Sequence, residues 1–539
     1  PLDSFTNDNF WTGEGNISGY ANAFYEQFSG YGNGNGYGDF YFKTLSDDQA
    51  GMSFAKWTYP DNAPSTSATW KNGWIEVRRA NIMLENVPTV ASLDEATKNH
   101  WLGVARLMRA WQYYHLVRMY GNLPWIDKAL NINDEGEIYG NREDRDMVMD
   151  KVLEDLDFAV TNIKDISSKT TWSRSLANAM KAEVCLYEGT FRKYRKNEDG
   201  QQAPDATGAA RYLTACKEAC LAVMSKGYKL NTSYQGNYNS TDLSSNPEMI
   251  LYKAYKEGLL MHSTIDYTCS STQISGMSKN AFESYLFKDG KPMALTSLNK
   301  SDEAPFQYGH LSLKDILAVR DKRLAQTIDT VLLYNGRGFT RFNTGMESTS
   351  STGYGVAKYD NEAIPEGFRS QSGKNYTHAP LFWLSVIYLN YAEACAELGN
   401  ITQDDLDKSI NLLKDRAGLP HLNPIVGFSD PANNHGVSDL IWEIRRERRC
   451  ELMFDNDNRY WDLIRWHQLD KLDTTKYPDI ILGANVANDM DGCEANKVGK
   501  YIDGSKDGSR IYDKKHYLYP IPTGQIALNP QLAPNNPGW

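Results

Sequence analysis

Between residues 65 and 230 apolar positions recur every three or four residues, the spacing of helices that bury one face. Trp74, Val77 and Ile82 mark such a face over residues 70–87, and Pro88 stops it. Ser92 and Glu95 fit the S-x-x-E box, in which each side chain satisfies a free backbone N–H at a helix start. The helix that follows carries Trp101, Ala105, Met108, Trp111 and His115 on one stripe, and ends at Gly121 with Pro124 beyond. Two such helices joined by a short turn make an αα-hairpin. Residues 142–162 and 175–194 predict a second hairpin, and 209–225 a further amphipathic helix. The pattern changes at residue 248. Residues 249–255 and 330–334 read as short strands, 280–287 as a short helix, and the rest up to 376 as loops rich in Gly, Ser and Asn. Helical spacing returns over 380–398, 404–417 and 438–454, and residues 473–539 are mostly loop.

The pattern predicts a mainly α fold in one interleaved domain, 1–539. Its helical scaffold spans about 65–230 and 380–470, and its loop-rich, ligand-side region about 1–64 and 248–376. Ala182-Glu-Val-Cys-Leu-Tyr-Glu-Gly189 and Ala392-Glu-Ala-Cys-Ala-Glu-Leu-Gly399 share A-E-x-C-x-x-x-G. The echo is reminiscent of tetratricopeptide helix pairs, which stack to bury faces none can bury alone. The longest apolar run, 379–389, is interrupted by Ser385 and falls short of the roughly 20 residues a membrane helix needs.

Charge narrows the partners. With 57 Lys and Arg against 68 Asp and Glu, the net charge is −11, which opposes binding to a phosphate backbone. The seven cysteines form no C-x-x-C pair and read as small buried hydrophobes. Residues 1–9 carry no basic-then-apolar leader, so a targeting segment is expected upstream. H-E-x-x-H, G-x-S-x-G and P-loop motifs are absent, and the nine His show no ligand spacing. Asp489-Met-Asp491-Gly492 is a poor calcium loop, because Ala487 and Val498 stand where acids are required. No cofactor and no metal are expected.

Residues 441–466 hold six Arg (445, 446, 448, 449, 459, 465) and six acids (Glu443, Glu447, Glu451, Asp455, Asp457, Asp462). Arg448 with Glu451, Arg459 with Asp462, and Asp462 with Arg465 lie three apart, the spacing of helical ion pairs. An ion-pair network locking two helices is the expectation, ahead of a catalytic Arg–Glu site. The segment resembles the C-terminal signature of the SusD/RagB family, surface glycan-binding lipoproteins of Bacteroidetes. The match runs through Ile444, Arg445, Glu447, Arg448, Arg449, Glu451, Leu452, Phe454, Arg459, Asp462, Leu463, Arg465 and Trp466. Asp455 departs from it, standing where the family usually has Glu. Three further blocks are similar to the family's: Arg109 through Gly121, Tyr388 through Ala394, and Tyr517 through Pro522 with Asn535 through Trp539. Trp383 stands where the family usually has Arg, which removes one expected ion pair.

The resemblance implies a helical fold with tetratricopeptide-like hairpins and a variable loop-rich region. It implies a non-enzymatic, cell-surface lipoprotein of the outer membrane, anchored through a lipidated Cys upstream of this sequence. It further implies that the protein captures oligosaccharide or polysaccharide, and serves polysaccharide utilisation by passing glycan to a SusC-like TonB-dependent transporter. The signature blocks are scaffold, so candidate ligand contacts come from the loops. These are Phe54, Trp57 and Tyr59; Tyr255, His262 and Tyr267; and Tyr31 and Tyr37, which frame the loop Tyr31-Gly-Asn-Gly-Asn-Gly-Tyr-Gly38. A sugar's C–H face packs on such flat rings while polar side chains bind its hydroxyls. A peptide-capturing member of the same family and an α-helical glycosidase with two opposed carboxylates are the rival readings.

Overall fold

Ser67, Asp94, Asp144, Ser173 and Asp205 each accept a hydrogen bond from a first-turn backbone N–H, and a long helix starts after each. These are α1 (Ala68–Asn86), α2 (Glu95–Tyr120), α3 (Arg145–Asn162), α4 (Arg174–Tyr194) and α5 (Ala206–Met224). The cap of α2 is therefore Asp94 and not Ser92: its carboxylate takes Thr97 N–H at 2.7 Å, which places the helix start at Glu95. The computed structural model describes residues 7–43, 45–51, 60–269, 275–298, 312–336, 339–343, 347–505 and 508–539. It is about 47% helical, with few and short strands, so the mainly α expectation holds.

Residue contacts divide the chain into two units. The first comprises Pro1–Phe28, Tyr59–Lys226 and Asp513–Trp539. Here α1 to α5 pack consecutively, each on the next. Close approach is built in by small residues: a Cβ on Gly73 would sit 2.6 Å from Leu116 Cδ2, and one on Gly189 2.7 Å from Leu213 Cγ. Gly399, the other glycine of the A-E-x-C echo, does something different. It ends a helix at φ +85°, with open space around it. Arg109, which opens the Arg109–Gly121 block, grips Asp155 of α3 through Nε (2.8 Å) and Nη2 (2.7 Å), and Asn81 of α1 through Nη1 (3.0 Å). The C-terminal segment closes the end of α2: Tyr519 N–H donates to Met119 O (2.7 Å), and Asn536 Nδ2 to Tyr120 O (2.9 Å).

The second unit comprises Ser29–Thr58 and Gly227–Tyr512. Among its elements are β1 (Met249–Lys253), α6 (Thr264–Cys269), α7 (Lys279–Ser284), β2 (Ala379–Trp383), α8 (Leu384–Glu397), α9 (Gln403–Asp407), α10 (Ile410–Ala417), α11 (Asp439–Glu451) and α12 (Asn458–Arg465). The expected helix over 380–398 begins as strand and turns helical only at Leu384. Ala379–Trp383 pair antiparallel with β1, Met249 opposite Trp383 and Lys253 opposite Ala379, and Glu248 then starts α8 by accepting Ser385 N–H at 3.3 Å. The expected helix over 404–417 breaks at Ser409, whose hydroxyl donates to Asp405 O at 2.6 Å. Residues 330–334 form no strand; Leu333 makes an isolated bridge to Gly353. The helix expected to Phe454 ends at Glu451, before positive φ at Phe454, Asn456 and Asp457. All seven cysteines are buried, and none is in a disulfide.

The charged signature forms a buried network, with partners other than those that spacing alone proposes. Only Asp462–Arg465 (2.9 Å) survives of the three pairs three residues apart. Arg448 crosses to Asp462 (2.8 Å) and Arg459 reaches back to Asp47 (2.7 Å). Arg323 is the hub: it meets Asp321 (2.7 Å), Glu447 (2.6 Å) and Glu451 (2.6 Å), each with about 1% of its side chain exposed. Asp455 accepts from Tyr238 OH (2.6 Å) and Lys358 Nζ (2.9 Å), and its burial pushes its carboxyl up to about 6. Trp383, in place of an arginine, is buried against Phe40 and Tyr238.

The network sets the acid response. Despite opposing burial, Arg465 holds Glu393, and Arg323 holds Glu447, down to about 2 from the usual 4.5. Unfolded chains then bind more protons than folded ones as pH falls below 4.5, so stability declines toward pH 2. Urea midpoints measured at pH 5 and pH 3 should differ by an amount on the order of 3 kcal/mol. Equal midpoints would show that these glutamates are not charge-paired in solution.

Candidate functional site

Gly, Asn and Tyr between residues 31 and 38 build a folded rim in the second unit. Gly32 and Gly34 adopt φ of +81° and +57°. Gly38 is required by crowding: a Cβ there would lie 2.3 Å from Gly30 O. The rim is pinned from below. Gly34 N–H donates to Met261 O (2.7 Å), Ser263 Oγ to Gly34 O (2.7 Å), and Lys253 Nζ to Asn33 Oδ1 (2.7 Å) and Ser29 O (3.1 Å).

Of the eight candidate ligand contacts, Tyr37 and Tyr267 come together at the surface. Tyr37 is 64% exposed. It lies 5.5 Å from the half-buried Tyr267 in an edge contact, and it stacks on Phe42 at 4.6 Å and 19°. Phe42 and Tyr267 meet edge-on at 5.9 Å, which closes a triangle of rings. Tyr267 stands on α6, and its hydroxyl donates to Asn35 O (2.9 Å), coupling the platform to the rim. Exposed Asn33 and Asn35 and half-buried Asp266 supply polar groups beside the rings.

Tyr31, Tyr255 and His262 lie behind this surface, at 0%, 4% and 0% exposure, so they shape the rim and do not offer a ring to a ligand. Tyr255 OH donates to Gly32 O (2.7 Å) and accepts Tyr31 N–H (3.1 Å). His262 Nδ1 accepts Thr264 N–H (3.2 Å), so Nε2 donates to Thr377 O (2.9 Å). Burial pulls the imidazole down to about 3 from 6.5, which keeps it neutral at ordinary pH. Phe54, Trp57 and Tyr59 lie outside the described residues. Phe42 was not among the candidates. Its signal was the run Phe40-Tyr41-Phe42 directly after the glycine loop, but nothing in the run says which ring faces out. Tyr41 turns at φ +71°, buries itself, and leaves Phe42 beside Tyr37.

A second concavity in this unit, about 520 Å³, is lined by Asp47, Glu283, Asp430 and Asp479 together with Trp442 and Tyr501. Its acids are engaged: Asp47 by Arg459 (2.7 Å), Glu283 by Lys279 (2.6 Å), Asp430 by Trp442 Nε1 (3.0 Å), and Asp479 by Asn280 Nδ2 (2.8 Å). Burial raises the Glu283 carboxyl. Among the described residues no group of three or more His, Cys, Asp or Glu side chains is arranged to hold a metal, and no helix is long and apolar enough to cross a membrane.

Residues 222–539 match the sequence model of the SusD family, and residues 6–186 match one described as starch-binding, associating with the outer membrane. SusD-like protein P2 of Formosa agariphila is 23% identical over 495 residues, 89% of this chain and 82% of that protein. A SusD-like carbohydrate-binding protein of Bacteroides fragilis superposes with a TM-score of 0.73 at 20% identity, covering 97% of this chain and all of that one. A laminarin-binding SusD-like protein superposes with a TM-score of 0.58 at 20% identity, covering 98% of this chain and all of that one.

Proposed function

Because the chain belongs to the SusD family, we propose that it captures oligosaccharide or polysaccharide at the cell surface without cleaving it. It hands the glycan to a SusC-like TonB-dependent transporter, with which it sits at the outer membrane through a lipid anchor upstream. The observation that carries the reading is the surface triangle of exposed Tyr37 with half-buried Phe42 and Tyr267 on the hydrogen-bonded rim. Flat rings of this kind accept the C–H face of a sugar. Asn33 Nδ2, Asn35 and Asp266 stand ready for its hydroxyls. The rim costs little to order on binding, since the backbone is already tied by Met261, Ser263 and Tyr255. The laminarin-binding neighbour and the family description as starch-binding and outer-membrane-associated support this placement.

Hydrolysis is the second reading, and Glu283 with its raised carboxyl is the group that favours it. It requires a second acid free to act opposite Glu283, and Asp47, Asp430 and Asp479 are already bonded.

Affinity gels loaded with laminarin, xyloglucan, starch or a pectin, run beside a peptide panel and a reducing-end assay, test the proposal. Retardation on at least one glycan with no release of reducing ends is expected. Binding to peptides alone overturns the glycan reading. Sustained release of reducing ends that Glu283→Gln abolishes establishes the hydrolytic one.

A further inference from the structure

We propose that a pocket in the first unit, remote in sequence from the aromatic platform, binds a hexuronic acid through Arg142 and Gln201. The pocket holds about 550 Å³, inside the about 300–1,000 Å³ range of small-molecule sites. The C-terminal end of α2, the start of α3, the end of α4 and the segment from Gln531 to Pro537 form its walls. Arg118, Arg142 and Arg145 line it, and no acidic side chain does.

The three cations are not equivalent. Arg145 is neutralised by Glu188 (2.5 Å) and Asp146 (2.7 Å). Arg142 is not: its donors go to Asn122 O (2.8 Å), Pro534 O (2.9 Å), Tyr120 O (3.0 Å) and Asn536 Oδ1 (2.5 Å), all neutral acceptors. Those four bonds leave one of its five N–H groups. Among the described residues no carboxylate pairs with Arg142. Burial without a counter-charge draws the guanidinium down to about 10, the direction an anion at this place would reverse.

Gln201 supplies the second, independent observation. It is only 7% exposed, and neither its Nε2 nor its Oε1 has a protein partner. A buried carboxamide with both ends unmatched is costly unless a ligand satisfies it. A donor group and an acceptor in the same pocket as an unneutralised arginine define the ligand. A carboxylate takes the N–H groups of Arg142 and Gln201, and an adjacent hydroxyl donates to Gln201 Oε1. Leu518 and Pro537 offer apolar surface for the ring's C–H face. A hexuronate carries all three features; glucose lacks the carboxylate and acetate lacks the hydroxyls.

Isothermal titration of the full chain with D-galacturonate, D-glucuronate, D-glucose and acetate tests the site. At least one uronate should bind, with glucose and acetate weaker by about tenfold or more, the loss expected when a hydrogen bond to a charged group goes. Gln201→Glu should weaken uronate binding by a similar factor, through like-charge repulsion. Gln201→Ala reads the same contact without a new charge, should the first variant not fold. The site is overturned by failure of both uronates to bind, by glucose or acetate binding as tightly, or by full affinity in the folded Gln201 variants. None of these outcomes bears on the aromatic platform, which Tyr37→Ala and neutral glycans probe separately.

Discussion

Replacing Arg323 by Met should destabilise the second unit by about 3–5 kcal/mol, the usual result of removing one member of a buried ion pair. The size follows from what remains. Asp321, Glu447 and Glu451 each keep about 1% of the side chain exposed, and all three face the guanidinium. Lys414 (3.3 Å from Glu447) and Arg416 (2.5 Å from Glu451) offset two of them, but Asp321 is left without its cation. A urea titration followed by fluorescence and circular dichroism reads the loss. Adding Asp321→Asn to the variant should recover part of it, because the stranded charge is then gone. A midpoint unchanged from the parent chain would contradict the hub assignment.

Removing the two rings that flank the rim is the second large effect. Tyr37→Ala with Tyr267→Ala should weaken glycan binding by about tenfold to a hundredfold, equivalent to about 1.4–2.8 kcal/mol. Tyr37 is exposed, so its loss leaves stability nearly unchanged. Tyr267 also holds Asn35 O, so Tyr267→Phe separates the ring from the hydroxyl. The phenylalanine variant should keep most of the stacking and lose some rim order. Affinity electrophoresis on the retained glycan measures all three. Binding unaffected by the double substitution would move the glycan site elsewhere on the molecule.

The helical scaffold over 65–230 was legible through an apolar period near 3.6, with a capping signal at the start of α2. Even so, Asp94 displaced Ser92, since only the chain's path shows which oxygen reaches the free N–H. The strand at Ala379–Trp383 was not legible. Its residues are apolar enough for a helix, and only pairing with Met249–Lys253, over a hundred residues away, makes them extended. The same holds for charge. Spacing reveals Asp462 with Arg465 but cannot announce that Arg459 finds Asp47 or that Glu447 finds Arg323. At the candidate site, residue type pointed to Tyr37 and Tyr267, while depth separated them from Tyr31, Tyr255 and His262. Depth is a property of the folded chain, and loop composition does not encode it.

The closure of α2 by Tyr519 and Asn536 has a consequence for synthesis. A ribosome finishes α1 to α5 early, then makes Gly227–Tyr512 of the second unit before the segment that caps them emerges. Met119 must keep its carbonyl in water until then, while Tyr120 O has only its bond from Arg142, and a stalled or shortened product leaves them so. Completion of the helical array is therefore a late, post-translational event, paced by a contact of very long sequence separation.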